Sequence, residues 1–267
     1  MNNEVETHQL VQAQFGKSAA AYTTSTSHAN ADALQQLVVL AQPQPTDRAL
    51  DIATGAGHAA LTLAPYVAEV VAFDLTPQML EETARNATKK GLTNLTTRQG
   101  LAEELPYPDN SFEIVCCRIA PHHFASIQKA VDEMARVVKP GGRVVIIDTT
   151  VPEDETLDRE INYIEKQRDP SHVRNYNPSE WRSMFEQTGL KITHLEYNLP
   201  LEHSRLNFAD WTARMHTPAA TVAELAGLLC NASPALQAAL NLEISGDKNE
   251  DIFFTLPRVS VVATKVG

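Results

Sequence analysis

Arg48-Ala-Leu-Asp-Ile-Ala-Thr-Gly-Ala-Gly-His58 decides the fold of this chain. Ala49 to Ala53 is a short apolar run, interrupted by Asp51, of the kind that forms a buried strand in a parallel sheet. Thr54-Gly55-Ala56-Gly57 breaks it, and Ala59, Ala60, Leu61 and Leu63 begin a helix. Strand, glycine turn and helix predict a nucleotide cradle. The glycines let the backbone pass close under a ligand, and the helix N-terminus offers free N–H groups. A second apolar run, Val70-Val-Ala-Phe73, ends in Asp74. A carboxylate at the tip of a second strand is placed to accept both hydroxyls of a ribose.

Two ligands compete for this cradle. Gly55-Ala-Gly57-His-Ala-Ala60 satisfies the loose dinucleotide pattern G-x-G-x-x-A, which keeps an NAD-dependent dehydrogenase as one reading. Asp51 and the spacing weigh against it. Asp51 stands inside the strand, where a nicotinamide site usually has an apolar residue. Asp74 follows Ala60 by fourteen positions, against roughly 20 in the dinucleotide motif. An acidic residue before the glycines and another ending the next strand suit a ligand with an amino acid at one end and a nucleoside at the other. S-adenosylmethionine is that ligand.

Outward from this stretch, strands and helices alternate through residues 46–150. Strand two is Val70 to Phe73. The helix from Thr76 to Lys90 has Thr76 as N-cap, Pro77 at its first position and Gly91 as its stop. Leu95 to Gln99, Phe112 to Cys117 and Arg143 to Ile147 are strands three to five. Ser126 to Val138 is the intervening helix, and Lys139 to Gly142 is the turn before strand five. The pattern predicts an α/β, Rossmann-like, doubly wound and mostly parallel sheet, with ligands at the carboxyl ends of the strands.

Two helices precede it, over residues 3–17 and 30–41, the second ended by Pro43 and Pro45. They make residues 1–45 an N-terminal helical cap. Either Phe15 and Tyr22 pack on the cofactor there, or the helices pack in the ordinary way. After Asp148 come charged helices, a sixth strand at Leu190 to Leu199 and helical pieces over 205–241. Strand-like runs at Ile252 to Leu256 and Val259 to Ala263 follow. This predicts a helical insertion after strand five. Residues 151–267 would supply lid and substrate elements of one domain spanning 1–267.

Composition narrows the function. A net charge of −11 over 267 residues leaves no basic excess for a nucleic-acid backbone or an anionic membrane surface. No apolar run approaches the ~20 residues of a membrane span, and Met1-Asn-Asn-Glu-Val-Glu-Thr-His8 lacks the features of a signal peptide. Three cysteines, two of them adjacent, form no disulfide framework. The expectation is a reduced, cytoplasmic protein acting on a small molecule, with a homodimer left open.

Linked motifs carry a family resemblance. Leu50-Asp-Ile-Ala-Thr-Gly-Ala-Gly57, Phe73-Asp-Leu-Thr-Pro-Gln-Met-Leu80, the segment from Gly100 to Val115 and Glu133-Met-Ala-Arg-Val-Val-Lys-Pro-Gly-Gly142 stand in order. Phe15-Gly-Lys-Ser-Ala-Ala-Ala-Tyr22 precedes them. Together they resemble class I S-adenosylmethionine-dependent methyltransferases of the ubiquinone/menaquinone C-methyltransferase-like type. The resemblance implies that Tyr22, Asp51, Ala53, Gly55, Gly57, Asp74, Leu75, Met79, Leu101, Ala102, Glu103 and Arg118 form the cofactor site. Two residues depart from the family pattern. Ala53 replaces a usual glycine and is tolerable if its φ stays negative. Leu101 replaces a frequent aspartate, so the adenine contact is lost or passes to the Ala102 backbone or Glu103. These departures predict a modest cofactor affinity, and they keep open the alternative of a non-methylating S-adenosylmethionine-binding protein.

Methyl transfer needs a nucleophile held against the cofactor, water excluded and sometimes a proton removed. His122 and His123 follow strand four, near the expected methyl position. Each is a candidate general base, a helix cap or a contact for the methionine carboxylate. Arg118 meets the cofactor or pairs with Glu103 or Asp148. His172 and Arg174 sit in the lid as candidate substrate contacts or as solvated charges. Trp211, with Arg214, walls an aromatic pocket or packs in a core. Cys116 and Cys117 point to opposite faces of a strand and cannot chelate together, so no metal site is expected.

Overall fold

Alternate residues of β1 (Arg48–Ile52) face opposite sides of the sheet: Leu50 and Ile52 enter one apolar core, Ala49 the other. β2 (Glu69–Asp74), β4 (Phe112–Arg118) and β5 (Val138–Thr149) divide their side chains in the same way. Cys116 and Cys117 fall on opposite faces, both fully buried, as the period of two requires. The computed structural model describes residues 2–23, 31–197 and 205–266.

Strands β1 and β2, β3 (Leu95–Gln99), β4 and β5 pair in parallel. β6 (Lys191–Tyr197) lies at the far edge of the sheet. Three short strands, β7 (Leu206–Asn207), β8 (Glu243–Ile244) and β9 (Ile252–Phe254), form a separate small sheet. β10 (Arg258–Thr264) inserts antiparallel between β5 and β6, giving the order β3-β2-β1-β4-β5-β10-β6. The sheet is thus mostly parallel, with one reversed strand.

Helices cover both faces. α2 (Ala31–Ala41) and α3 (His58–Leu63) contribute to one core, and α5 (Ile127–Val137) and α7 (Pro178–Gln187) to the other. α4 (Pro77–Lys89) starts at the expected N-cap, Thr76, with Pro77 in its first turn. α6 (Glu155–Arg168), α8 (Phe208–Arg214), α9 (Ala219–Cys230) and α10 (Pro234–Leu240) gather around β9. Their own core holds Ile161, Ile164, Phe208, Trp211, Leu229 and Phe254. This is the insertion expected after strand five.

Two boundaries differ from the sequence reading. α1 is one helix, Asn2–Thr23, where the sequence suggests a break after residue 17. Gly16 costs a helix interior about 1 kcal/mol; it faces α4, where a Cβ would meet only the tip of the Gln78 side chain, at 3.4 Å. β5 begins at Val138 rather than Arg143, because the expected turn is held in the sheet. Gly141, at φ +77°, donates its N–H to Lys265 O at 2.8 Å. Among the described residues no single helix is long and apolar enough to cross a membrane.

Candidate active site

The carboxyl ends of β1, β2 and β4 converge on the glycine turn. Asp51 is buried beneath it and locks strand to helix. Its Oδ2 accepts from Thr54 Oγ1 at 2.6 Å and from the Ala60 N–H at 2.9 Å, and its Oδ1 accepts from Cys116 Sγ at 3.5 Å. Burial raises the Asp51 carboxyl to about 6, against the opposing pull of those hydrogen bonds. Asp74 accepts the Gly55 N–H at 2.8 Å on Oδ2 and the Thr76 N–H at 2.8 Å on Oδ1. The Thr76 hydroxyl and the Leu75 N–H also act on this carboxylate. Burial also pushes the Asp74 carboxyl upward.

Two positions of the turn need their glycines for different reasons. Gly57, at φ +87°, backs onto α4, and a Cβ there would stand 2.8 Å from Thr83 Cγ2. Gly55, at φ +56°, faces open space. Ala53 stands in the left-handed region at φ +53°. The condition under which alanine is tolerable here, a negative φ, is therefore not met. The crossover from β1 into the turn demands the left-handed conformation whichever residue occupies it. Ile119, directly after β4, is also left-handed at φ +55°, an outlier for a β-branched residue. Its N–H is held by Ile147 O at 2.8 Å. Such strain clusters where surrounding structure imposes it, commonly at ligand sites.

These elements enclose a chamber of about 970 Å³, continuous with solvent. It brings together Asp51, Ala53, Gly55, Asp74, Leu75 and Met79 with Leu101, Ala102, Glu103, Arg118 and His123. Gly57 supports the turn from behind. The Tyr22 side chain lies outside the described residues. α1 lies across the chamber, with His8, Val11 and Phe15 on one face lining it. Gln12 Nε2 donates to Leu75 O at 3.0 Å and Gln14 Nε2 to Met215 O at 2.9 Å, tying this helix to both sides of the cleft. His8 and Val11 are lining residues that the sequence reading missed; the steps of three and four from His8 to Val11 to Phe15, which put them on one helix face, are the available signal.

A second chamber of about 580 Å³ adjoins the first, and Phe15, Ile119 and His123 line both. His122 and Trp211 line only the second. The histidines occupy a 3₁₀ turn, Pro121–His123, and neither caps α5, whose N-cap is Ser126. His122 Nδ1 lies 2.7 Å from Asp148 Oδ1, and the His122 N–H donates to Asp148 Oδ2 at 3.0 Å. Burial alone would lower the His122 pKa, but the Asp148 carboxylate overcomes it and raises the value. With Nδ1 donating to Asp148, Nε2 is the nitrogen left for a ligand. His123 Nδ1 faces Ser171 O at 3.1 Å. Burial first, and then the His122 charge, push His123 down to about 4.

His172 and Arg174 reach neither chamber. His172 is buried behind His122, their ring centroids 5.5 Å apart, and its Nε2 meets Asn162 Oδ1 at 3.1 Å. The Arg174 guanidinium pairs with Asp158 at 2.7 Å and Glu180 at 3.0 Å. Arg118 ends β4, and burial brings its pKa down to about 10. Among the described residues no group of three or more His, Cys, Asp or Glu side chains is arranged to hold a metal ion.

The sheet order and this chamber at the carboxyl ends of its strands define an S-adenosylmethionine-type methyltransferase site. Residues 50–146 match the family model for a methyltransferase domain. The chain is 41% identical over 206 residues to the uncharacterized methyltransferase YcgJ of Bacillus subtilis, covering 77% of this chain and 79% of that one. The crystal structure of YcgJ superposes with a TM-score of 0.81 at 35% identity, over 88% of this chain and 99% of that one. A putative methyltransferase from Bacillus halodurans gives 0.82 at 32%, over 88% and 100%. A demethylmenaquinone methyltransferase from Deinococcus radiodurans is 42% identical over 108 residues, 39% of this chain and 44% of that one. The chain belongs to the S-adenosylmethionine-dependent methyltransferase family.

Proposed function

We propose that this protein methylates a small-molecule acceptor at oxygen, carbon or nitrogen, in the cytoplasm, with the cofactor in the first chamber and the acceptor in the second. The observation carrying this reading is that the two chambers meet at Phe15, Ile119 and His123. The first chamber fits S-adenosylmethionine by its chemistry. Asp74 accepts the ribose hydroxyls, Leu75, Met79 and Leu101 enclose the base, and the open space over Gly55 admits the ligand against the backbone. Asp51 and Arg118 serve the charged amino-acid end. When bound, the cofactor supplies an electrophilic methyl carbon on a sulfonium.

The chain's own work is to hold the acceptor, exclude water and take a proton. Phe15 and α1 close the cleft over the junction. His122 accepts the acceptor's proton at Nε2, while Asp148 fixes the tautomer and stabilises the imidazolium. His123, held largely neutral above about pH 4, contributes shape at the junction more than basicity.

Calorimetric titration with S-adenosylhomocysteine and NADH tests the cofactor reading. Wild type should bind the first and not the second, and Asp74→Ala should weaken that binding at least 100-fold. Unchanged affinity in Asp74→Ala would overturn the assignment of this chamber.

A further inference from the structure

The second chamber holds an unusual set of charges for so acidic a chain. Arg258 is the first residue of β10. Because β10 runs antiparallel to β5, its beginning lies at the carboxyl edge of the parallel strands, opposite Thr149. The Arg258 guanidinium lines the chamber and makes no hydrogen bond or ion pair with another described residue. Its nearest electrostatic partners are the Asp148 carboxylate and the like charge of Arg118.

Arg168 approaches from α6. Its Nε donates to Trp211 O at 3.1 Å, and its guanidinium stands 4.6 Å from the centre of the Trp211 ring. The indole and its carbonyl orient the guanidinium and leave the terminal nitrogens uncommitted. Asp169, the carboxylate that would neutralise this pair, is already engaged. It accepts the Ser171 N–H at 2.8 Å and Ser171 Oγ at 2.6 Å, and it faces His123. Glu165 lines the same chamber with Oε1 buried and without a hydrogen-bond partner. Burial raises its pKa, so its carboxyl gains proton-donor character rather than adding a full negative charge.

We infer that the acceptor carries an anionic group, a carboxylate or a phosphate, bound by Arg258 and Arg168 in the second chamber, with an apolar body against Trp211 and Leu256. This rests on the assignment of the second chamber to the acceptor. Among the described residues neither guanidinium is in direct ion-pair contact with a carboxylate, and two like charges at a partly desolvated site are costly to hold together. An oxyanion offsets that cost with bidentate, charge-assisted hydrogen bonds, and Glu165 donates one more when protonated. The other wall is apolar, so a small inorganic ion alone leaves most of the chamber unfilled.

The test uses the full chain saturated with S-adenosylhomocysteine. The probes are matched pairs: salicylate against salicylamide, and phenyl phosphate against phenol. Calorimetry should give at least tenfold tighter binding for one anion over its neutral partner. Arg258→Met should erase that preference, and Arg258→Lys should restore part of it, with S-adenosylhomocysteine affinity unchanged in both. Preference for salicylate alone identifies a carboxylate site, and for phenyl phosphate alone a phosphate site. Equal binding of each pair, or a preference that survives Arg258→Met, overturns the inference while the cofactor assignment stands. Failure of wild type to bind S-adenosylhomocysteine removes the underlying reading and this one with it.

Discussion

Replacing Ala53 with glycine should stabilise the protein, although it removes a methyl group from a partly buried position. Ala53 sits at φ +53°, where a Cβ crowds the following carbonyl at a cost of roughly 1–2 kcal/mol. Glycine relieves that crowding but gives up about 0.5–1 kcal/mol of unfolded-state entropy. The Thr54 N–H donates to Phe73 O at 3.0 Å and holds the turn in place whichever residue precedes it, so the backbone need not move. The balance is a gain of about 0.5–1 kcal/mol, or about 1–4 °C in Tm for a chain of this size. Equilibrium urea unfolding should show a higher midpoint at an unchanged slope. Ala49→Gly serves as the control. Ala49 is fully buried within β1 and is not among the positive-φ residues, so the same chemical change should destabilise there. A midpoint for Ala53→Gly at or below wild type would refute the strain argument.

Other outcomes follow from the same geometry. Gly57→Ala should destabilise by about 2 kcal/mol or more, since the new Cβ meets buried Thr83 in addition to the left-handed φ; an unaltered thermal midpoint would contradict this. Asp51 titrates near 6 in the fold against an ordinary 3.8. The stabilisation from its tighter proton is therefore complete below pH 3.8 and lost as pH rises through 6. Asp51→Asn should make the ligand-free protein more stable by up to about 3 kcal/mol at pH 8, with the difference vanishing near pH 4, as pH-dependent denaturation would report. Once an acceptor is in hand, His122→Ala should lower kcat by about 10²–10⁴. Asp148→Asn should move the alkaline rise of the rate to lower pH, because the carboxylate that raises His122 is gone; an unmoved profile would exclude His122 as the base. Phe208→Ala should loosen the core of α6, α8, α9 and α10 by about 3–5 kcal/mol, seen as faster amide exchange there than in β1 and β4.

The parts of the site legible in the sequence are those built by contiguous segments. Strand, turn and helix from Arg48 to Leu63 declare themselves through periodicity and glycine. Asp51 and Asp74 follow because strand ends are fixed by the runs that precede them. The left-handed φ of Ala53 is not legible in the sequence, because alanine in a strand-like run favours an extended backbone and the crossover to the turn overrides that local preference. His172 and Arg174 looked available because their segment is charged and punctuated by proline. Their partners Asn162, Asp158 and Glu180 lie on two helices, and only tertiary packing brings these together. Arg258 escaped notice for a topological reason. It opens an ordinary apolar strand, and the antiparallel direction of that strand, invisible to periodicity, delivers its first residue to the active-site edge.

That reversed strand also sets an order of assembly. Tyr197 in β6 pairs with Val259 in β10, and among the described residues β6 has no other neighbour in the sheet. As the polypeptide leaves the ribosome, β1 to β5 can pair among themselves while β6 waits for some sixty further residues. During that interval the outer edge of β5 lies open, with the apolar residues Val144 to Ile147 in its unpaired ladder. Nascent chains are therefore exposed to mispairing along β5 until residues 258–264 have emerged. The Arg258 guanidinium joins the cleft only when β10 closes that edge.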